Sequence, residues 1–133
     1  MVMIVRVVNS SGVSGISNSF DVSKVIQMDM GMFPSDAPYR GYVSLIVAQI
    51  SAIDSATTIT LRVCRDAAGD ECIVTDTASS IFTGLTTSTK GSACWALNAF
   101  AGVEDNDQLY CFIKSNNGTF NLDYLEITWG DNK

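Results

Sequence analysis

The 133-residue chain contains no histidine, which removes the commonest general base and metal ligand. No Gly-x-Ser-x-Gly elbow occurs among its many serines. A pair of catalytic carboxylates would have to come from residues such as Asp66, Asp70, Glu71, Glu104, Asp105 and Asp107. These lie in turn-like stretches, where hydrogen bonding from side chain to backbone accounts for them, so an enzyme is not expected. Charge is scarce as well, at 17% of residues against the roughly 25% usual in soluble domains. Lys and Arg number 8 and acids 14, for a net charge of −6. The basic residues form no cluster, so the footprint that releases counterions from a phosphate backbone is missing. No apolar run approaches the roughly 18 residues of a membrane span. Neither nucleic acid nor membrane is an expected partner.

The N-terminal run from Met1 to Val8 has no basic leader and no small-residue cleavage site, and does not read as a secretory signal. The four cysteines lack the close pairing of zinc sites. Glu104-Asp105-Asn106-Asp107, with Asp131, offers oxygens of the kind calcium takes, but matches no defined loop and reads as a turn. No cofactor or metal is therefore expected. Cys64 and Cys72 bracket the turn-like stretch Arg65 to Glu71, a spacing that suits a cross-strand disulfide in an oxidising compartment. Without an export signal, reduced and half-buried thiols are the preferred expectation.

What is present is β-prone. Apolar residues make up 47% of the chain, and Ser, Thr, Asn and Gly fill the place of the missing charges. The clearest strand is Thr57 to Arg65, where Ile59, Leu61 and Val63 face inward and Thr58, Thr60, Arg62 and Cys64 outward. Gly41 to Ile53 is nearly continuously apolar, and its Val and Ile content selects a buried strand. Further strands are expected at Cys72 to Val74, Ile81-Phe82 and Ala93 to Phe100, with Thr83 to Ser92 as a loop. The run Met3 to Val8 is an edge strand or an arm that docks on a neighbour. After it, Ser/Gly-rich sequence reads as loop.

The strongest turn signal is Asn116-Asn117-Gly118, between the apolar runs 109–113 and 120–129. Asn and Gly accept the positive φ of tight hairpin turns, so the two runs are expected to pair antiparallel. Apolar parity shifts within the second run between Leu122/Tyr124 and Leu125/Ile127/Trp129, the signature of a β-bulge. Neither face of this hairpin is cleanly polar. One face is expected on the core, and part of the other under a second body such as another chain. Met28, Met30 and Met32 recur at a spacing of two, which places them on one strand face. Ordinary core packing is the preferred reading of that row, and a plastic contact surface is the functional one. The candidate interface residues are thus Met28, Met30, Met32, Tyr110, Phe112 and Trp129.

Eight or nine short strands without an amphipathic helix predict one all-β domain over 1–133, with 1–12 its edge strand or arm. An antiparallel β-sandwich of the jelly-roll kind is the expected architecture. The segments Gly84-Leu85-Thr86-Thr87-Ser88-Thr89-Lys90-Gly91-Ser92-Ala93 and Glu126-Ile127-Thr128-Trp129, in a compact acidic β domain, resemble the small all-β cement or decoration proteins of tailed-bacteriophage heads. The resemblance implies a virion structural protein, assembled in the host cytoplasm. It would bind the major capsid protein outside an icosahedral shell, as a homo-oligomer with trimers favoured, and stabilise that shell. The rival expectation is a carbohydrate- or receptor-binding β-sandwich, which would show an exposed aromatic platform drawn from Tyr39, Tyr42, Trp95, Tyr110, Tyr124 and Trp129.

Overall fold

The computed structural model describes residues 4–30, 41–54, 56–79, 90–100 and 108–130. They form nine strands and one 3-10 turn. The strands are β1 (Ile4–Asn9), β2 (Val13–Ile16), β3 (Ile26–Asp29), β4 (Tyr42–Ser51), β5 (Thr58–Cys64), β6 (Cys72–Ser79), β7 (Gly91–Phe100), β8 (Gln108–Ser115) and β9 (Phe120–Gly130). Two antiparallel sheets face each other. Sheet A runs β1-β9-β4-β7, with β2 sharing the β1 side of β9, and sheet B runs β3-β8-β5-β6.

The pairing is nested. The β5–β6 pair is a local hairpin. Outside it β4 pairs with β7, β3 with β8, and β1 and β2 with β9. The chain is thus one long antiparallel ribbon, tipped by the β5–β6 turn and rolled up so that β9 also meets β4 and β8 also meets β5. This is the jelly-roll winding that the strand count anticipates.

The core lies between the sheets and follows strand parity. Val43, Ile46, Ala48 and Ile50 of β4 face Ile59, Leu61 and Val63 of β5, with Trp95, Leu109, Phe120, Ile127 and Trp129 among the side chains that fill the space. Trp95 in sheet A gives its indole proton to the Ile59 carbonyl in sheet B at 3.3 Å, so the buried nitrogen is satisfied. The parity shift in β9 is a bulge. Gln49 pairs with Tyr124 and Ile50 with Leu122, which leaves Asp123 as the extra residue and returns Leu122 and Leu125 to the same side.

Two expectations are corrected by the backbone. The runs before and after Asn116-Asn117-Gly118 do not pair, because β8 belongs to sheet B and β9 to sheet A. Gly118 has a φ of 69° but Asn117 does not take positive φ, so the two-residue turn of a tight hairpin never forms. Asn116 acts instead as a clamp within sheet B, between the end of β8 and the start of β5. Its Oδ1 accepts from the amides of Thr57 and Thr58 at 3.0 and 3.1 Å, and its Nδ2 donates to Thr57 Oγ1 at 2.8 Å. Secondly, the stretch read as Ser/Gly loop contains β2, which pairs irregularly with the start of β9. The N-terminal run is an edge strand, paired with β9 in unbroken register from Ile4 to Asn9. The strand expected at Ile81-Phe82 lies outside the described residues.

Candidate functional site

The sandwich leaves two outer sheet faces, and strand parity decides what each displays. On sheet A the cross-strand row Arg6, Thr128, Leu45, Ala96 lies beside the row Val8, Glu126, Val47, Cys94. Arg6 meets Glu126 at 3.8 Å, and Lys90 meets Asp123 at 3.1 Å near the bulge. Both ion pairs are largely exposed and contribute little to stability. At the rim, Ile4 and Val8 of β1 project into solvent with 65% and 55% of their surface exposed. Beyond them the β1 ladder has no strand partner among the described residues.

The outer face of sheet B is roofed. The loop from Arg65 to Glu71 folds back so that a Cβ at Gly69 would lie 3.3 Å from Cζ of Phe112. Gly69 takes a φ of +80°, which glycine adopts freely. Asp66 holds the loop: its carboxylate accepts from the amides of Glu71 and Asp70 at 2.9 and 3.0 Å, and these bonds lower its pKa. Cys64 and Cys72, paired in the ladder with Cα atoms 3.8 Å apart, are joined by a disulfide across the base of the loop. The expectation of reduced thiols there is overturned. The other two cysteines are free, Cys94 exposed and Cys111 buried. Burial pushes the Cys111 thiol up to about 12.

Beside the loop, Phe20 lies across the same face. Arg62 of β5 stands 4.3 Å from its ring centroid and Lys114 of β8 stands 4.9 Å away. The segment carrying Phe20 is tied down at both ends. Ser115 donates its amide to the Ser17 carbonyl at 2.9 Å. Asp21 caps the 3-10 turn Val22–Lys24 by accepting from Ser23 Oγ at 2.8 Å and Ser23 N at 2.9 Å, which lowers its pKa.

These placements change the candidate interface. Met28 and Met30 are fully buried, with Met28 opposite Leu109 on the inward face of β3 and β8, and they belong to the core rather than to an exposed contact row. Met32 lies outside the described residues. Trp129 is also fully enclosed. Phe112 is buried on the outer face of sheet B, so the body that covers this side of β8 includes the chain's own loop. Of the five described, Tyr110 alone is half-buried, opposite Gln27 and beside Gln108; the Gln27 and Gln108 side chains bond each other at 2.9 Å. Ile4 and Val8 belong to the run read from the sequence as an edge strand or docking arm, whereas the Phe20 cluster carried no signal in the sequence that singled it out. Among the described residues there is neither a cavity nor a group of three or more His, Cys, Asp or Glu placed to hold a metal. No helix there is long and apolar enough to cross a membrane.

No protein-family model matches the chain, and no curated protein matches it in sequence. Several solved structures are similar to it at low identity. One is the C-terminal family 6 carbohydrate-binding module of LamC, a laminarinase of the marine Zobellia galactanivorans. It is 16% identical over 95% of this chain and 99% of that one, with a TM-score of 0.46. A chain of the cyanophage Pam1 capsid asymmetric unit is 14% identical over 95% of this chain and 83% of its own, at a TM-score of 0.48. The xylan-binding module CBM15 is 13% identical over 96% and 95%, at 0.43. The strand order itself carries the fold assignment.

Proposed function

We propose that the protein is a non-enzymatic structural component of a virion. In this reading it decorates the outside of an icosahedral shell, binds the major capsid protein and copies of itself, with a trimer favoured, and stabilises the shell. The observation that carries the reading is the state of β1. Proteins that work alone blunt a sheet edge with proline, lysine, a bulge or a cover. β1 has an unbroken six-residue register, no proline, and one charge already matched by Glu126. Its exposed Ile4 and Val8 add apolar area beside an open ladder. Such an edge suits attachment to another protein by strand addition. Repetition over a shell would multiply a weak contact into a strong one.

The test is to sediment a lysate of the source material on a density gradient and locate the chain by peptide mass spectrometry. Co-migration with large particles at high copy number is expected, and recovery only from the light soluble fraction would overturn the reading. A double variant Ile4→Lys/Val8→Lys should stay folded and leave the particles. A second reading, a carbohydrate-binding module, is favoured by one feature: half-buried Tyr110 lies opposite Gln27 and two residues along β8 from Gln108, an aromatic side chain with a pair of bonded amides beside it. A glycan array tests it on the same preparation.

A further inference from the structure

Carboxylates are plentiful in this chain, 14 against 8 bases, so a cation without one is not short of candidates. Arg6 and Lys90 each have a carboxylate partner, and Lys24 donates to the Ser14 carbonyl at 2.8 Å. Arg62 and Lys114 differ. Both are half-buried, both converge on the Phe20 ring, and neither forms an ion pair with a described carboxylate. Asp21, next to that ring in sequence, is turned to Ser23.

Bringing two like charges together and partly out of water is unfavourable, and a ring quadrupole offsets only part of it. What remains is a local positive potential on the face of an acidic protein, held in place rather than free to relax. The row beside it adds a donor. Thr60 is opposite both Lys114 and Thr77, and the Thr60 and Thr77 hydroxyls bond each other at 2.9 Å. That bond uses one of their two protons and leaves the other to give. Two cations and a hydroxyl proton on neighbouring strands match carboxylate oxygens. The ring is already engaged by the cations, which disfavours a sugar stacked upon it.

We propose that Arg62 and Lys114, carried on Phe20, form a docking site for clustered carboxylates on an acidic segment of a protein partner. The inference adds a partner chemistry to the docking role proposed above and rests on it. The two fail separately, since the gradient tests attachment to particles and the following test uses the isolated chain.

The probe is a fluorescent hexaglutamate peptide, titrated with the full-length protein and read by anisotropy. Because the protein is itself negative, net charge cannot produce this binding. Saturable binding that weakens with added salt is expected. Arg62→Gln and Lys114→Gln should each weaken it by about fivefold, the scale of one partly screened ion pair. Arg62→Lys, which keeps the charge, should retain most of it, and Lys90→Gln should match wild type. Circular dichroism checks the fold of each variant, and the salt dependence of the wild type stands even where a variant misfolds. Absence of peptide binding, or binding by both Gln variants as tight as that of wild type, overturns the proposal. So does binding of polygalacturonate in place of the peptide, which would make the ligand an acidic glycan.

Discussion

Replacing Gly41 by alanine probes a close approach in sheet A. Gly41 is buried at the entry to β4, against Gly130 and Trp129 of β9. Its φ lies outside the left-handed region, so alanine meets no conformational penalty and the whole effect is steric. A Cβ there falls on the Gly130 carbonyl oxygen and on Cζ2 of the Trp129 ring, with Cε2 at 2.7 Å. The ring has no room to swing, being fully buried on a strand held between Val5 and Val43. Overpacking of a close-packed interior costs about 1–3 kcal/mol, and because one obstacle is backbone the expected loss is about 3 kcal/mol. With a urea slope of roughly 2 kcal/mol/M, the unfolding midpoint should fall by about 1.5 M, read by tryptophan fluorescence. Trp129→Phe removes one obstacle, so the double variant should be less destabilised than the sum of the singles by about 1 kcal/mol. A Gly41→Ala midpoint within about 0.3 M of wild type, or strict additivity, would refute the steric account.

Other perturbations follow from the same structure. Reducing the Cys64–Cys72 bond, or changing both residues to serine, should cost about 2.5 kcal/mol from the loop entropy of so short a closure. An unchanged urea midpoint under dithiothreitol would contradict that. Iodoacetamide should modify Cys94 in the native protein and reach Cys111 only in urea, as mass spectrometry can show. The native state keeps the Cys111 proton while the unfolded chain loses it above pH 9.0, so this contribution is whole below that pH and is lost as the pH rises through about 12. The alkaline fall in stability should therefore be shallower in Cys111→Ala. Asn116→Ala removes the clamp on Thr57 and Thr58 and should cost about 1 kcal/mol, since the bonds are exposed and water takes over part of what the side chain supplied. Calorimetry showing less than about 0.5 kcal/mol would mean that water replaces the clamp at no loss.

Strand content was legible wherever parity was clean. β5 could be read from the alternation of Ile59, Leu61 and Val63, and the bulge at Asp123 from the shift between Leu122 and Leu125. Those signals are local, because side chains alternate along one strand. Pairing is not local. The turn chemistry of Asn116-Asn117-Gly118 announces a reversal but not whether the chain returns beside itself or crosses to the facing sheet. Here the crossing leaves each of the two runs an inward apolar face on opposite sides of one core. The methionine row shows the same division: spacing placed Met28 and Met30 on one face, and only the opposite sheet shows that face to be enclosed. β2 escaped notice because Val13 and Ile16 are separated by Ser14 and Gly15 and pair irregularly. The Phe20, Arg62 and Lys114 group comes from three separate segments, and nothing in any one of them announces the others.

The nested winding also governs when the protein can become whole. β9 sits between β1 and β4 in sheet A, yet it is synthesised after every strand it joins. Until β9 leaves the ribosome, β1 has no ladder partner and β4 lacks one of its two. Sheet B meets a milder delay, since β5 and β6 can close on each other early while β3 waits for β8. The growing chain therefore carries exposed strands for most of its synthesis, and non-local pairing of this kind is slow to form. Its net charge of −6 helps to keep nascent copies apart during that interval.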